Sequence, residues 1–210
     1  MPQTLARPPR KTRRKPVRIG PADHGRRMSL DDFDKAIGQA GYTYELNKGV
    51  IEVSGIPDLP HGEQVQEVRD QLTAHRLATP GSIRYIGGGS EAKMLIAAVE
   101  SERHPDLSVY TSPAPAGVTG AEVWAVWVPA IVIEFVSPRS GTRDYEDKPD
   151  EYLASGVGEY WIVDAPAGRF TAMTRYRGQW RPKVLKPSQK YATHLLPGFT
   201  LDLKRVFAIG

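Results

Sequence analysis

The chain has 210 residues, 40% apolar and 25% charged, with no cysteine, and its 28 Lys and Arg exceed its 24 Asp and Glu by four. That is the size and balance of one soluble globular domain with an appendage, and it excludes disulfide frameworks, Cys-based zinc sites and thiol nucleophiles. No run approaches the ~18 apolar residues of a membrane span and no apolar leader core opens the chain, so a cytoplasmic protein without membrane attachment is expected.

The positive charge is concentrated at one end. Residues 1–28 hold nine basic side chains and one acid, Asp23, which leaves 19 basic and 23 acidic residues in 29–210, a balance of about −4. Rich in Pro and Arg and poor in apolar residues, segment 1–28 is expected to be a disordered tail on a folded domain spanning 29–210. Its densest run, Arg10, Lys11, Arg13, Arg14 and Lys15, reads either as an arm that neutralises nucleic-acid phosphates or as a solubilising extension.

Ser29 is a natural N-cap for a helix whose apolar positions are Leu30, Phe33, Ala36, Ile37 and Ala40, with Gly41 ending it. Residues 42–46 and 50–54 flank Asn47-Lys48-Gly49 as a β-hairpin. A loop with Pro57 and Pro60 follows. Val65, Val68, Leu72 and Leu77 then predict an amphipathic helix from His61 to Ala78, closed by Pro80-Gly81. The middle of the chain reads as strands at 82–86, 91–99 and 106–110, with Gly87-Gly88-Gly89 as a flexible turn. That triplet is no phosphate loop, because neither a helix nor a Lys-Ser/Thr pair follows it.

After a Pro-, Ala- and Gly-rich surface loop at 111–120, residues 130–136 form an apolar run interrupted by one acid. Such a strand is buried on both faces, as the central strand of an α/β sheet is. A polar stretch to Asp147 leads into a helix through Tyr152 that ends at Gly156. Strands at 159–164 and 170–176 follow, then a hairpin-like region, and Asp202 caps a last short helix ending at Phe207. The residues thus predict an α/β fold with a mixed, strand-rich central sheet.

Glu134 is the acid inside that apolar strand. A buried carboxylate requires compensation, because its uncompensated desolvation costs several kcal/mol. Two readings stand side by side. Glu134 and Asp106, which opens its own strand after Pro105, make an oxygen-rich site suited to Mg²⁺ or Mn²⁺ rather than zinc, or Glu134 pairs with a Lys or Arg across the sheet. His61 and Glu63 open the long helix, where capping and solvent exposure are their ordinary roles. His24, His75, His104 and His194 lack ligand spacing and read as surface or turn residues. Tyr160 and Trp161 read as core before they read as base-stacking platforms.

A collinear series of blocks carries a resemblance. It comprises Tyr44-Glu45-Leu46 with Gly49, His61-Gly62, Pro105-Asp106-Leu107-Ser108-Val109, Pro129 through Glu134 to Ser137-Pro138, Asp144 with Lys148 and Tyr152, Gly156 through Asp164, Leu196-Pro197-Gly198, and Leu201-Asp202-Leu203. Over 42–207 the chain resembles the Uma-type endonucleases of the PD-(D/E)xK nuclease superfamily. The resemblance implies a restriction-endonuclease-like mixed central sheet with flanking helices and Mg²⁺- or Mn²⁺-dependent hydrolysis of DNA. It further implies DNA as partner, admits a homodimer, and implies no nucleotide cofactor. It makes Asp106 and Glu134 the paired acids and metal ligands, with the Phe135 backbone carbonyl as a further ligand. The motif lysine is missing, because Val136 stands in its place, and the resemblance moves that role to Lys148, beside Pro149. Glu45, His61 and Glu63 become supporting candidates, Glu63 as an added acid near the metal. Two other readings compete: a nuclease-fold module that binds nucleic acid or a protein partner without catalysis, and, more remotely, a paired-carboxylate hydrolase of sugars.

Overall fold

A computed structural model of the protein describes residues 16–137 and 143–209. Its strands are β1 (Arg18–Ile19), β2 (Ile37–Gly38), β3 (Tyr42–Asn47), β4 (Val50–Gly55), β5 (Tyr85–Gly87), β6 (Met94–Ile96), β7 (Ser101–Arg103), β8 (Leu107–Tyr110), β9 (Ile131–Phe135), β10 (Glu159–Asp164), β11 (Arg169–Tyr176), β12 (Gln179–Leu185), β13 (Lys190–Ala192) and β14 (Thr200–Asp202). Its α-helices are α1 (Leu30–Asp34), α2 (Leu59–Ala78), α3 (Lys148–Ser155) and α4 (Leu203–Phe207).

The main sheet has the order β12-β11-β10-β9-β8-β5, with β9 and β10 parallel and the other neighbouring pairs antiparallel. All five residues of β9 are buried, and they alternate between two cores. Ile131, Ile133 and Phe135 pack into the larger core with Val68 and Leu72 of α2 and with Leu203 and Val206 of α4. Val132 joins Tyr152 of α3, Tyr160 and Ile162 on the opposite face. Helices therefore flank a mixed sheet on both sides, the α/β architecture the sequence predicts. A smaller sheet, β4-β3-β7-β6, encloses a third core of Ile19, Phe33, Leu46 and Ile51.

Local chemistry fixes the elements that bear on function. The Asp58 side chain accepts the His61 N–H at 3.1 Å, capping α2. Pro60 therefore lies in the first turn of the helix, where its missing N–H is harmless, and not in the preceding loop. A π-helical turn, Arg143–Asp147, runs straight into α3. Gly156 closes α3 with φ of +97°, a left-handed cap that costs glycine nothing.

Several expectations need correction. Order begins well before Met28: β1 pairs with β2, Arg27 bridges to Val50, and Ile19 is buried. Pairing to the β3–β4 region organises these residues despite their basic composition. Residues 1–15, including Arg10, Lys11, Arg13, Arg14 and Lys15, lie outside the described residues, as does 138–142. The first helix stops at Asp34 because Ile37 and Gly38 are drawn into pairing with β1. The strand expected at 91–99 shrinks to β6 between two 3₁₀ turns, and β7 was not foreseen. Among the described residues no helix is long and apolar enough to cross a membrane.

Candidate active site

The site forms where β9 ends. Leu107 pairs with Ile133, so the next step of that register sets Asp106 opposite Glu134, and cross-strand neighbours have Cβ atoms ~5 Å apart. The backbone ladder is not continued there. Instead the Phe135 N–H donates to Asp106 Oδ2 at 2.8 Å. The N–H and C=O of one strand residue point to the same side, so the Phe135 carbonyl faces the Asp106 edge as well. His61, from the start of α2, brings Nε2 to 3.3 Å from Asp106 Oδ1 and rests its ring 5.8 Å from that of Phe135.

Glu134 is 4% exposed and its Oε1 carries two contacts. Lys148 Nζ lies 3.0 Å away and the Tyr152 hydroxyl donates at 2.6 Å. The same ammonium reaches Asp144 Oδ1 at 2.9 Å. Asp144, Lys148 and Tyr152 are spaced by four, so the π turn and α3 present them on one face. Pro149, one residue into the helix, does not displace Lys148, which is itself only 6% exposed. The compensation of Glu134 thus comes from a lysine on the following helix and not from a basic residue across the sheet.

The electrostatics are uneven. Burial, assisted by Asp106, Asp144 and Glu45, pushes the Glu134 carboxyl up to about 8 against the pull of Lys148. Burial works against ionisation at Lys148 too, but Glu134, Glu45, Asp144 and Asp106 together raise its pKa and keep the ammonium charged. His61 is partly buried, yet its hydrogen bond with Asp106 and the nearby Asp58 and Asp144 raise its pKa.

Glu45 belongs to the site through a second layer. Its Oε1 accepts the His104 N–H at 2.9 Å and its Oε2 lies 3.3 Å from Arg103 Nη1. Burial raises its pKa, but Lys148, Arg103 and the His104 N–H outweigh that and lower it to about 2. Arg103 is fully buried and also contacts Glu52 at 3.2 Å and Glu151 of α3 at 2.7 Å, so one guanidinium joins the β3–β4 hairpin to the helix that carries Lys148.

Nothing in the spacing of Arg103 and Glu151 announces a buried ion cluster, and Asp144 and Tyr152 stand out in the sequence only as part of the block that carries the family resemblance with Lys148. Glu63 is exposed on α2 and does not join the site, because the helix turns its carboxylate outward. His104 is no plain surface residue either: its Nε2 lies 3.0 Å from Glu102 Oε1 and its Nδ1 lies 3.1 Å from the Gly89 carbonyl. The Gly87-Gly88-Gly89 stretch is also more than a turn. A Cβ at Gly88 would collide with the Asp106 carbonyl oxygen, so this close approach admits only glycine.

Among the described residues no three His, Asp or Glu side chains close into a metal cage. Asp106, Glu134 and the Phe135 carbonyl offer only oxygen donors, the ligand class that Mg²⁺ and Mn²⁺ prefer over zinc. Asp106 keeps a quarter of its side chain exposed, which gives that set access to solvent.

Residues 30–204 match the model of a family described as Uma2, "Putative restriction endonuclease". No curated protein matches the sequence. Among solved structures, one described as "a putative nuclease belonging to DUF820 from Anabaena variabilis ATCC 29413" superposes with a TM-score of 0.70 at 19% identity, covering 86% of this chain and 98% of the other. The fold is therefore that of this nuclease-like protein.

Proposed function

The chain belongs to the Uma2 family, and from that premise we propose that it is a divalent-metal-dependent endonuclease that hydrolyses phosphodiester bonds in DNA. The observation that carries this reading is Lys148. Its ammonium stands 3.0 Å from Glu134, on the element after the strand, and fills the role that Val136 leaves open.

Asp106, Glu134 and the Phe135 carbonyl would hold Mg²⁺ or Mn²⁺. Such an ion supplies an activated water and positive charge for the phosphoryl oxygens. Lys148 supports this from the protein side. With its pKa raised it is no proton acceptor, so it acts as a fixed positive charge that orients water and stabilises developing negative charge. Tyr152 donates to Glu134 Oε1, and Asp106 is held by the Phe135 N–H on one oxygen and by His61 on the other.

The test is cleavage of duplex DNA with Mg²⁺ or Mn²⁺ by the full chain and by D106N, E134Q and K148M. Removing one preorganised charge of this kind costs ~10²–10³ in rate, and losses of that size are expected. A wild-type chain that binds DNA but never cuts it would instead identify a binding module built on the nuclease fold.

A further inference from the structure

The β11–β12 hairpin carries a charge pattern that the site does not use. Between residues 165 and 201 there are seven Lys and Arg and no Asp or Glu, although the residues after Met28 as a whole carry a negative balance. Arg169 pairs with Asp164 and Lys190 with Asp202. Arg175 lies against Gly156 at the end of α3, where a cation complements the helix dipole. Arg177, Arg181, Lys183 and Lys186 are exposed and form no salt bridge with the described residues.

The hairpin tip adds a second, independent observation. Tyr176 pairs with Gln179 across a two-residue turn of Arg177 and Gly178, with φ of +51° and +76°. That is the type I′ turn, whose first position favours Asn, Asp or Gly, and an arginine there is held in an unfavourable backbone state. The Arg181 and Arg177 guanidinium groups both gather at the Tyr176 ring, 3.5 and 5.2 Å from its centroid. Two like charges share one ring with no carboxylate between them. A solvated face would mix signs and place Asn at the turn. A surface that collects unpaired cations at the cost of backbone comfort is suited to a polyanion.

We propose that the β11–β12 hairpin is a docking surface for the sugar-phosphate backbone of DNA, with Arg177, Arg181 and Lys183 contacting phosphates. The choice of DNA rests on the nuclease reading, while the charge geometry stands without it. Contacts of this kind position a duplex without reading its bases. Arg181 and Lys183 point to the sheet face opposite Glu134, because Lys183 pairs with Ala172 of the larger core, so the hairpin holds DNA outside the reacting groups.

The experiment is fluorescence anisotropy of a labelled 30-bp duplex in EDTA, with the full chain, across a salt series. EDTA separates binding from cleavage, so an inactive nuclease leaves the result readable. The triple variant R177N/R181Q/K183Q should bind at least about tenfold more weakly at 0.1 M salt, with the log K against log[salt] slope shallower by about 0.9 per lost contact. R177N alone should weaken DNA binding while its melting temperature stays level or rises, since Asn accepts the left-handed turn better. A purely structural arginine would give the reverse, a lower melting temperature with unchanged binding, and that would overturn the proposal. So would a triple variant that keeps wild-type affinity and slope, or one that loses binding to anionic phospholipid vesicles while retaining DNA.

Discussion

Glu45 and Glu134 share the buried space around Lys148, yet their protons are held with opposite strength. For Glu134 burial and three neighbouring carboxylates outweigh one lysine, whereas Glu45 has Lys148, Arg103 and a backbone N–H against burial alone. A group lowered to about 2 from 4.5 on folding stabilises the fold at all pH values above 4.5, and that stabilisation disappears as pH falls from 4.5 towards 2. E45Q should therefore be less stable than wild type at pH 7 by on the order of 3 kcal/mol. The gap should close on acidification, as urea denaturation at pH 7, 4 and 2.5 would show, and a gap that widens would reverse the assignment. Legibility at this scale was partial. An acid in an apolar strand and an aspartate after Pro105 mark themselves against their neighbours. Arg103 does not, because a buried arginine is satisfied by Glu45, Glu52 and Glu151 from remote parts of the chain.

The elements that matter most are those whose ends meet at the site: β8, β9, α2 and α3. Gly88 follows β5 and has no room for a Cβ against the Asp106 carbonyl, so G88A must displace the start of β8 from its place between β5 and β9. Asp106 would then lose its bond from the Phe135 N–H. G88A should reduce DNA cleavage by at least ~10²-fold, as expected when a reacting geometry shifts by about an ångström, while far-ultraviolet circular dichroism stays that of a folded chain. Full activity in G88A would show that Asp106 needs no such support. Elements with clear local signals were legible: the β3–β4 hairpin, α2, β9, β10 and the Asp202-capped α4 follow local patterns, although Leu77, expected on the buried face of α2, is 73% exposed. The misses were decided at a distance. β7 exists because Glu102 pairs across to Leu46 and Leu95, and α1 is cut short because Ile37 and Gly38 pair with residues nearly twenty positions earlier.

For the molecule as a whole, the net charge of +4 depends on the first fifteen residues, which hold six Lys and Arg and no acid, so that a chain beginning at Pro16 carries −2. If those cations reach DNA, their removal should flatten the salt dependence of binding by ~0.9 per contact. The melting temperature should be unchanged, because β1 and the Arg27–Val50 bridge remain. A chain beginning at Ser29 should melt lower, since it loses β1 and buried Ile19 from the third core, and equal melting of the two would remove the structural role given to 16–28. Composition alone showed the charge asymmetry but not where pairing begins, which depends on contacts with β2 and β4. The proposed catalysis rests on Asp106 and Glu134 sharing one hard cation. The most direct measurement is anomalous scattering from a crystal soaked in Mn²⁺. A peak within ~2.2 Å of both carboxylates and beside the Phe135 carbonyl is the predicted result. A crystal that takes up Mn²⁺ elsewhere, with the Lys148–Glu134 pair intact and no density between the two acids, would contradict it.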